Sequence, residues 1–380
     1  MPAETDRKTA PPGDPADLLA PARPAVPAPI GGDAVSVRTW FDTTVETLDP
    51  ASDGSLAGDR DAADTYRRMA KAANTRRAYR AAVRAWCIWC ARHDVVPLPA
   101  ASADVAAFLG GERAGRQLAP NTIDLRRAAI RYLHRAAGCP VPTDDACVAE
   151  TVAGIRRDAA RRGHLPKKKV AATATIVRRL LAPIPDTELA AGGLVGLRDR
   201  ALILVGFAGA LRRAELAAIR VEHLEKTERG IRLTLPQTKG AQTAAVTVPL
   251  PYGDTALCPV HALLAWLSAA GITGGAVFRR VWLPRRAAPG QPSPLPQIGA
   301  DAITPQTVAR IIQARALAAG FGRRDLGGHS LKRGAVTTGM DLGIHPTRLK
   351  RLGRHKSYDT LGEYLELGDL FDGHPLSGVL

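Results

Sequence analysis

The chain has 380 residues, enough for two ordinary domains and tails, and 46% of them are hydrophobic, which excludes a wholly disordered chain. Its five cysteines, Cys87, Cys90, Cys139, Cys147 and Cys258, are an odd, scattered set, which argues against a disulfide framework and for a reducing compartment. The formal net charge is +16; residues 1–60 hold ten Asp and Glu against five Lys and Arg, so residues 61–380 carry +21. A folded body that basic most often meets a polyanion, nucleic acid first, although a generally arginine-rich proteome gives the same balance. The longest apolar run, the 11 residues between Arg200 and Arg212, is too short for a bilayer. The N-terminus shows no basic stretch followed by an apolar one, so a cytoplasmic protein with no membrane partner is predicted.

Residues 1–62 are rich in Pro, Ala, Asp and Gly without sustained periodicity. Such a segment buries too little apolar surface to offset chain entropy and is predicted to be mostly disordered. Residues 35–48, which hold Trp40 and Phe41, are able to order locally or against a partner.

Residues 63–162 read as a helical domain. Thr75, Tyr79, Val83 and Trp86 recur at intervals of three and four, with Asn74 as the expected N-cap. A second helix is expected over 102–110, opened by Ser102, a third from Pro120, and a fourth over 146–162. Cys87 and Cys90 form a lone CxxC in a stretch that reads as helix core, with no second pair at zinc-ligand spacing. The polar faces are mostly arginine, with Arg76, Arg77, Arg80 and Arg84 on one helix and Arg126, Arg127, Arg131 and Arg135 on another. A single run of this kind is usually a solvated face. Its repetition favours contact with a phosphate backbone and makes Arg76, Arg77, Arg80, Arg126 and Arg127 expected DNA contacts. Residues 163–170 follow as a basic linker containing Lys167, Lys168 and Lys169, able to follow a duplex and let the two domains close around it.

The second domain, 171–380, opens with helices expected over 171–181 and 196–209. The apolar run 201–211 reads as a fully buried helix. Arg212, Arg213 and Glu215 follow at once, and cations at such an edge are costly unless they face a ligand or a carboxylate. From Ile231 the period changes to two: Ile231, Leu233 and Leu235, then Val246, Val248 and Leu250, a hairpin with Lys239 at its tip. A helix is expected over 259–270, a proline-rich loop over 279–302, and a helix capped by Thr304-Pro305 up to about 319.

The last basic stretch reads His329-Ser330-Leu331-Lys332-Arg333-Gly334, a helical segment, Gly353-Arg354-His355-Lys356-Ser357, and Tyr364 nine residues beyond His355. Two histidines, several cations and a phenol make a poor structural core and suit chemistry on a phosphate. Cations hold the oxygens, imidazoles hold or move protons, and a phenol attacks. The other histidines, His93, His134, His164, His223, His261, His345 and His374, form no ligand-spaced cluster and read as surface or packing residues.

Residues 209–216 (Gly-Ala-Leu-Arg-Arg-Ala-Glu-Leu), Lys239, His329-Ser330-Leu331-Lys332, Gly353-Arg354-His355 and Tyr364 resemble, in order and spacing, the tyrosine recombinases, also called phage-type integrases. The likeness runs from about residue 75 to 364. It implies a mainly α fold with a small β-hairpin or sheet (α+β): a helical core-binding domain plus a tyrosine-recombinase catalytic domain. It further implies site-specific cutting and rejoining of double-stranded DNA by a homotetramer on two sites, with no cofactor, metal or small-molecule substrate. In the mechanism so implied, Tyr364 attacks a phosphodiester, leaving a 3′-phosphotyrosine and a free 5′-hydroxyl. A free phenol has a pKa of about 10, so the attack requires proton removal and stabilisation of charge on the phosphorane. Arg212 takes a non-bridging oxygen through its planar fork. Lys239 protonates the leaving oxygen, His329 assists proton transfer, His355 donates to the phosphate, and Glu215 buttresses the site. The covalent intermediate keeps the bond energy for rejoining.

Most members of that family carry Arg where this chain has Lys332. Lys keeps the charge and loses the bidentate fork, a loss on the order of 1–3 kcal/mol of transition-state stabilisation. Arg333 is adjacent but about 100° away on a helix, so Lys332 is the expected phosphate contact, with Arg333 in reserve. Tyr358 is the rival nucleophile; beside Ser357, the expected cap of the last helix, its plainer reading is packing near a helix start. Two other functions fit the same residues: a recombinase-fold DNA-binding protein of weak activity, and a type IB topoisomerase-like enzyme, which the helical domain and linker disfavour. Beyond Tyr364, Leu365, Leu367, Leu370 and Phe371 fit docking on a neighbouring protomer or packing onto their own domain.

Overall fold

The computed structural model describes residues 27–164, 169–184, 193–236, 245–282, 296–355, 357 and 358. The chain divides into two compact units, residues 1–166 and 167–380. Among the described residues no helix is long and apolar enough to cross a membrane.

The first unit holds α1 (Ala34–Glu46), α2 (Leu56–Met69), α3 (Ala73–His93), α4 (Ser102–Ala114), α5 (Pro120–Ala136) and α6 (Ala146–Arg161). The stretch 35–48, expected to be able to order, does so as α1, whereas the start of α2 lies in a part of 1–62 expected to be disordered. Val37, Trp40, Phe41 and Val45 recur at helical spacing along α1 and are buried in one core with Val83, Trp86, Phe108, Ile130 and Leu133. The Asp33 carboxylate caps α1 by accepting from the Ser36 N–H at 2.7 Å. Two expected caps are also displaced by a residue or two. Ala72 and Ala101 are the N-caps of α3 and α4, Ser102 is the first residue of α4, and Asn74 lies inside α3, where its side chain accepts from Arg77. Cys87 and Cys90 do lie in the core, where burial pushes the Cys87 thiol up to about 12 and raises Cys90 as well.

His134 ties this core together. Its ring is fully buried, Nε2 accepts from the Ala100 N–H at 2.9 Å, and Nδ1 therefore carries the hydrogen that Ile130 O accepts.

The second unit holds α7 (Ala174–Leu181), α8 (Gly193–Ala208), α9 (Arg213–Ala217), β1 (Leu224–Thr227), β2 (Gly230–Leu235), β3 (Val246–Pro251), α10 (Pro259–Ala269), β4 (Arg279–Trp282), β5 (Gln297–Ala302), α11 (Pro305–Ala318), α12 (Ser330–Asp341) and α13 (Pro346–Gly353). The expected hairpin is β2 paired antiparallel with β3, and β1 adds a third strand on the other edge of β2. The expected loop over 279–302 is instead bounded by β4 and β5, which pair antiparallel. The uninterrupted apolar run of α8 reflects burial on all sides, with every residue from Ala201 to Val205 inside the core and α10 and α12 packed against the helix.

Two glycines set how closely α12 sits. A Cβ at Gly206 of α8 would lie 2.7 Å from Leu331 Cδ1, and one at Gly334 would lie 1.8 Å from the Ala172 carbonyl oxygen. The α12 helix is therefore wedged between α8 and the strand of chain at 171–173.

Burial lowers the pKa of His134, so the unfolded chain takes up a proton at higher pH than the folded one. The stability this ring contributes is present above the unfolded pKa of about 6.5 and is lost as pH falls towards the lower folded value. His134→Gln is expected to cost about 1–3 kcal/mol at neutral pH and to flatten the loss of stability between about pH 7 and 5.5. Denaturant titrations of the parent and variant at both pH values check this; an unchanged pH step in the variant refutes it.

Candidate active site

The candidate site is built where α8 ends. Ala210 turns the chain with φ 45°, and Arg212 then precedes the five-residue helix α9. Glu215, in the first turn of α9, folds back as a capping carboxylate. One oxygen accepts from the Arg212 backbone N–H at 2.8 Å and the other from the Arg212 guanidinium at 2.7 Å. The Glu215 side chain is 4% exposed and that of Arg212 18%. Glu215 is the carboxylate that a cation at the edge of this apolar run requires. Among the described residues the Arg212 guanidinium hydrogen-bonds Glu215 alone.

The second part arrives at the end of α13. Arg354 caps the helix in the left-handed region (φ 52°, ψ 48°), and its guanidinium reaches back to Gly209 O, Ala210 O and Glu215. His355 follows, buried, with its backbone N–H on Lys350 O at 3.0 Å. The third part is Lys332, in the first turn of α12 and only 1% exposed. His329 stands at the N-cap of α12, exposed and one helical turn before Lys332, on the same face.

Electrostatics shows that these parts meet. Burial first, and then the charges of Lys332, Arg212 and Arg354, together push the His355 imidazole down to about 4. Burial alone would raise the Glu215 carboxyl, but the Arg212 N–H, the Arg354 charge and the Arg212 side chain together hold it below the ordinary carboxylate range. Arg212, Glu215, Lys332 and His355 are thus brought into one cluster, with Arg354 added to them. Lys239 and Tyr364 lie outside the described residues.

The reserve residue and the rival nucleophile make their contacts elsewhere. Arg333 is buried, and its guanidinium donates to the Lys169 carbonyl, tying the incoming chain to α12. Val170 N–H to Asp325 O, Ala172 N–H to Ser330 O and Ala174 N–H to Thr338 Oγ1 continue the same seam. The reserve role at a phosphate is therefore not where this side chain points. Tyr358 is exposed, with its hydroxyl 3.1 Å from Thr347 Oγ1 and its ring 4.3 Å from the Lys350 ammonium, so both of its contacts lie on α13.

The expected DNA contacts divide in the same way. Arg126 pairs with Glu112 at 2.6 Å with both side chains nearly buried, and lies over the Phe108 ring. Arg80 bridges Asp42 and Glu46 of α1. These two hold the helical unit together, and the run of cations conceals that the partner carboxylates are distant in sequence. Arg76, Arg77 and Arg127 pair with no carboxylate among the described residues: Arg76 bonds the Lys71 carbonyl and Arg77 the Asn74 side chain. The Lys169 ammonium bonds the Arg324 carbonyl, while Lys167 and Lys168 lie outside the described residues.

No protein-family model matches the chain. Over 312 residues it is 31% identical to an integrase/recombinase XerD homolog of Selenomonas ruminantium, covering 81% of this chain and 85% of that protein. Over 289 residues it is 27% identical to the recombinase Cre of Escherichia phage P1, covering 74% and 80%. Among solved structures, the XerH site-specific recombinase bound to difH substrate in a pre-cleavage complex matches with a TM-score of 0.56 at 13% identity, over 94% of this chain and 99% of that one. The Tn1549 transposon integrase in complex with transposon right-end DNA matches with a TM-score of 0.52 at 12% identity, over 87% and 95%. At such identities the structural likeness speaks for the fold.

The division among the arginines has a direct test. Arg126→Ala leaves Glu112 short of a buried partner and is expected to cost on the order of 3 kcal/mol of folding stability. Arg127→Ala is expected to leave stability unchanged, weaken DNA binding and lower the salt slope of binding by about 1. Denaturation curves and salt-dependent binding isotherms on both variants read this out, and the reverse pattern rejects the assignment.

Proposed function

Because the chain belongs to the tyrosine recombinases, enzymes that cut and rejoin DNA strands, we propose that it cuts through Tyr364, with Arg212, Lys332 and His355 holding the scissile phosphate. The observation that carries this assignment is the convergence of the Arg212, Lys332 and Arg354 charges on a buried, neutral His355.

Before DNA arrives, the cluster gathers Arg212, Arg354 and Lys332 around Glu215, its one carboxylate among the described residues. That excess attracts a phosphodiester, and in a dehydrated site fixed charges stabilise the phosphorane with little reorganisation. The Tyr364 oxygen bonds to phosphorus while the bond to the 5′-oxygen breaks. The phenolic proton leaves with help from His329, and Lys239 gives its proton to the departing 5′-oxygen. Arg212 holds one non-bridging oxygen with the edge of its fork that Glu215 leaves open. Lys332 supplies a compact charge, and neutral His355 donates its one ring N–H. Attack of a 5′-hydroxyl on the 3′-phosphotyrosine reverses the sequence and releases Tyr364. The contacts of Tyr358 on α13 support Tyr364 as the nucleophile. We further assign the working assembly as a homotetramer on two duplexes, with the apolar residues after Tyr364 docking on a neighbouring protomer.

Incubation with a nicked duplex carrying the recombination site is expected to trap a covalent protein–DNA adduct on a denaturing gel. Tyr364→Phe abolishes this adduct and Tyr358→Phe retains it; an adduct that survives in Tyr364→Phe overturns the assignment. Deleting residues 365–380 should leave binding to a single site intact and abolish pairing of two sites in a gel-shift assay. Unchanged recombination in that truncation removes the docking role of the tail.

A further inference from the structure

We propose that Arg354 is a positioning residue of the cleavage site, whose guanidinium fastens the turn that carries Arg212 to the turn that carries His355. The inference rests on Arg212 and His355 acting at the phosphate.

The geometry is that of a staple between two turns. One terminal nitrogen donates to Gly209 O at 3.0 Å and Leu352 O at 3.1 Å, and the other to Ala210 O at 2.8 Å and Glu215 Oε2 at 2.8 Å. Gly209 and Ala210 form the turn just before Arg212, and Leu352 lies in the turn just before His355. The fourth acceptor is the carboxylate that also holds Arg212 through its backbone and side chain. Both terminal nitrogens are fully engaged and the side chain is 9% exposed. Arg354 therefore has no free terminal N–H to offer a phosphate, and it acts through its neighbours.

The backbone shows that both turns need such a fastening. Ala210 has φ 45° and Arg354 has φ 52°, left-handed conformations that glycine adopts freely and that residues with a Cβ adopt reluctantly. Each persists where surrounding contacts over-determine it, and here one guanidinium contacts both. The His355 ring follows its turn closely: a Cβ at Gly353 would lie 2.3 Å from His355 Cδ2. A shift of the 353–354 turn would carry the imidazole with it and free Glu215 to release Arg212. Lysine cannot replace this function, because one ammonium cannot span four acceptors that a planar fork engages in two pairs.

The test uses the full chain and a nicked duplex carrying the recombination site. For the parent, Arg354→Ala and Arg354→Lys, single-turnover adduct formation at saturating DNA is measured beside the dissociation constant for the same duplex. In Arg354→Ala the cleavage rate should fall by about 100-fold, the scale of a misplaced catalytic group, while the dissociation constant changes by less than about threefold. Added guanidinium ion should restore part of the lost rate. Arg354→Lys, which retains the charge and keeps the test valid should the alanine variant fail to fold, should recover less than about a tenth of the parental rate. Parental cleavage in either variant overturns the proposal, as does a loss of binding in Arg354→Lys that matches its loss of rate. Absence of an adduct in the parent itself would instead reject the assignment of the cleavage site.

Discussion

A single buried carboxylate holds the functional end of the catalytic unit in place. Glu215 is 4% exposed and lies between two guanidiniums, Arg212 at 2.7 Å and Arg354 at 2.8 Å. Desolvation works against such a charge, and only excellent geometry offsets that cost. The backbone N–H of Arg212 completes that geometry and ties the carboxylate to the start of α9. Lys332 belongs to the same cluster, since its charge acts on His355 together with those of Arg212 and Arg354. In the proposed mechanism a phosphate joins this cluster, and fixed charges of this kind stabilise a phosphorane with little reorganisation. His355 feels these charges too, since burial first and the same cations second lower its pKa.

How much of this was legible in the sequence depended on whether each interaction is local. Arg212 and Glu215 are three residues apart, and the cost of cations beside an apolar run already called for a carboxylate. His329 and Lys332 share a helical turn, so their common face follows from spacing. Arg354 was read only as a letter between Gly353 and His355. Its partners Gly209, Ala210 and Glu215 are roughly 140 residues away, with separations of 145, 144 and 139. No periodicity reports a contact of that range. That Arg333 points away from Lys332 follows from helix geometry, but its acceptor does not, because a backbone carbonyl, at Lys169, carries no side-chain signature. The left-handed turns at Ala210 and Arg354 were hidden because neither residue is glycine, the usual marker.

The helical unit shows the same limit from the side of composition. Local order over 35–48 is legible in the sequence from Trp40 and Phe41, but the core they pack into, with Val37 and Val45 beside them, is not. In the unit itself α1 offers more than apolar surface. Asp42 and Glu46 take up Arg80, so part of the acidic N-terminal charge neutralises part of the basic face within one fold. Net charge by segment therefore overstated both the disorder of the first and the free positive charge of the second. The arginines that pair with no carboxylate among the described residues are the more informative ones, because a cation without a paired anion is available to a phosphate backbone.

Lysine at position 332 is the chain's one departure from the residue pattern it resembles, and its surroundings define what kind of departure it is. Leu331, beside it, packs against Gly206 of α8, and Gly334, two residues on, packs against the Ala172 carbonyl; neither glycine has room for a Cβ. The backbone of α12 is therefore fixed on both sides of Lys332, and the ammonium cannot gain or lose its place by a drift of the helix. At 1% exposure the charge acts with little competing water, where each unit of charge counts for more than on a surface. What is lost relative to arginine is the second hydrogen bond of a fork, and the neighbouring Arg212 supplies a fork at the same cluster. In the proposed mechanism lysine changes the chemistry offered to a phosphate oxygen and leaves its placement intact.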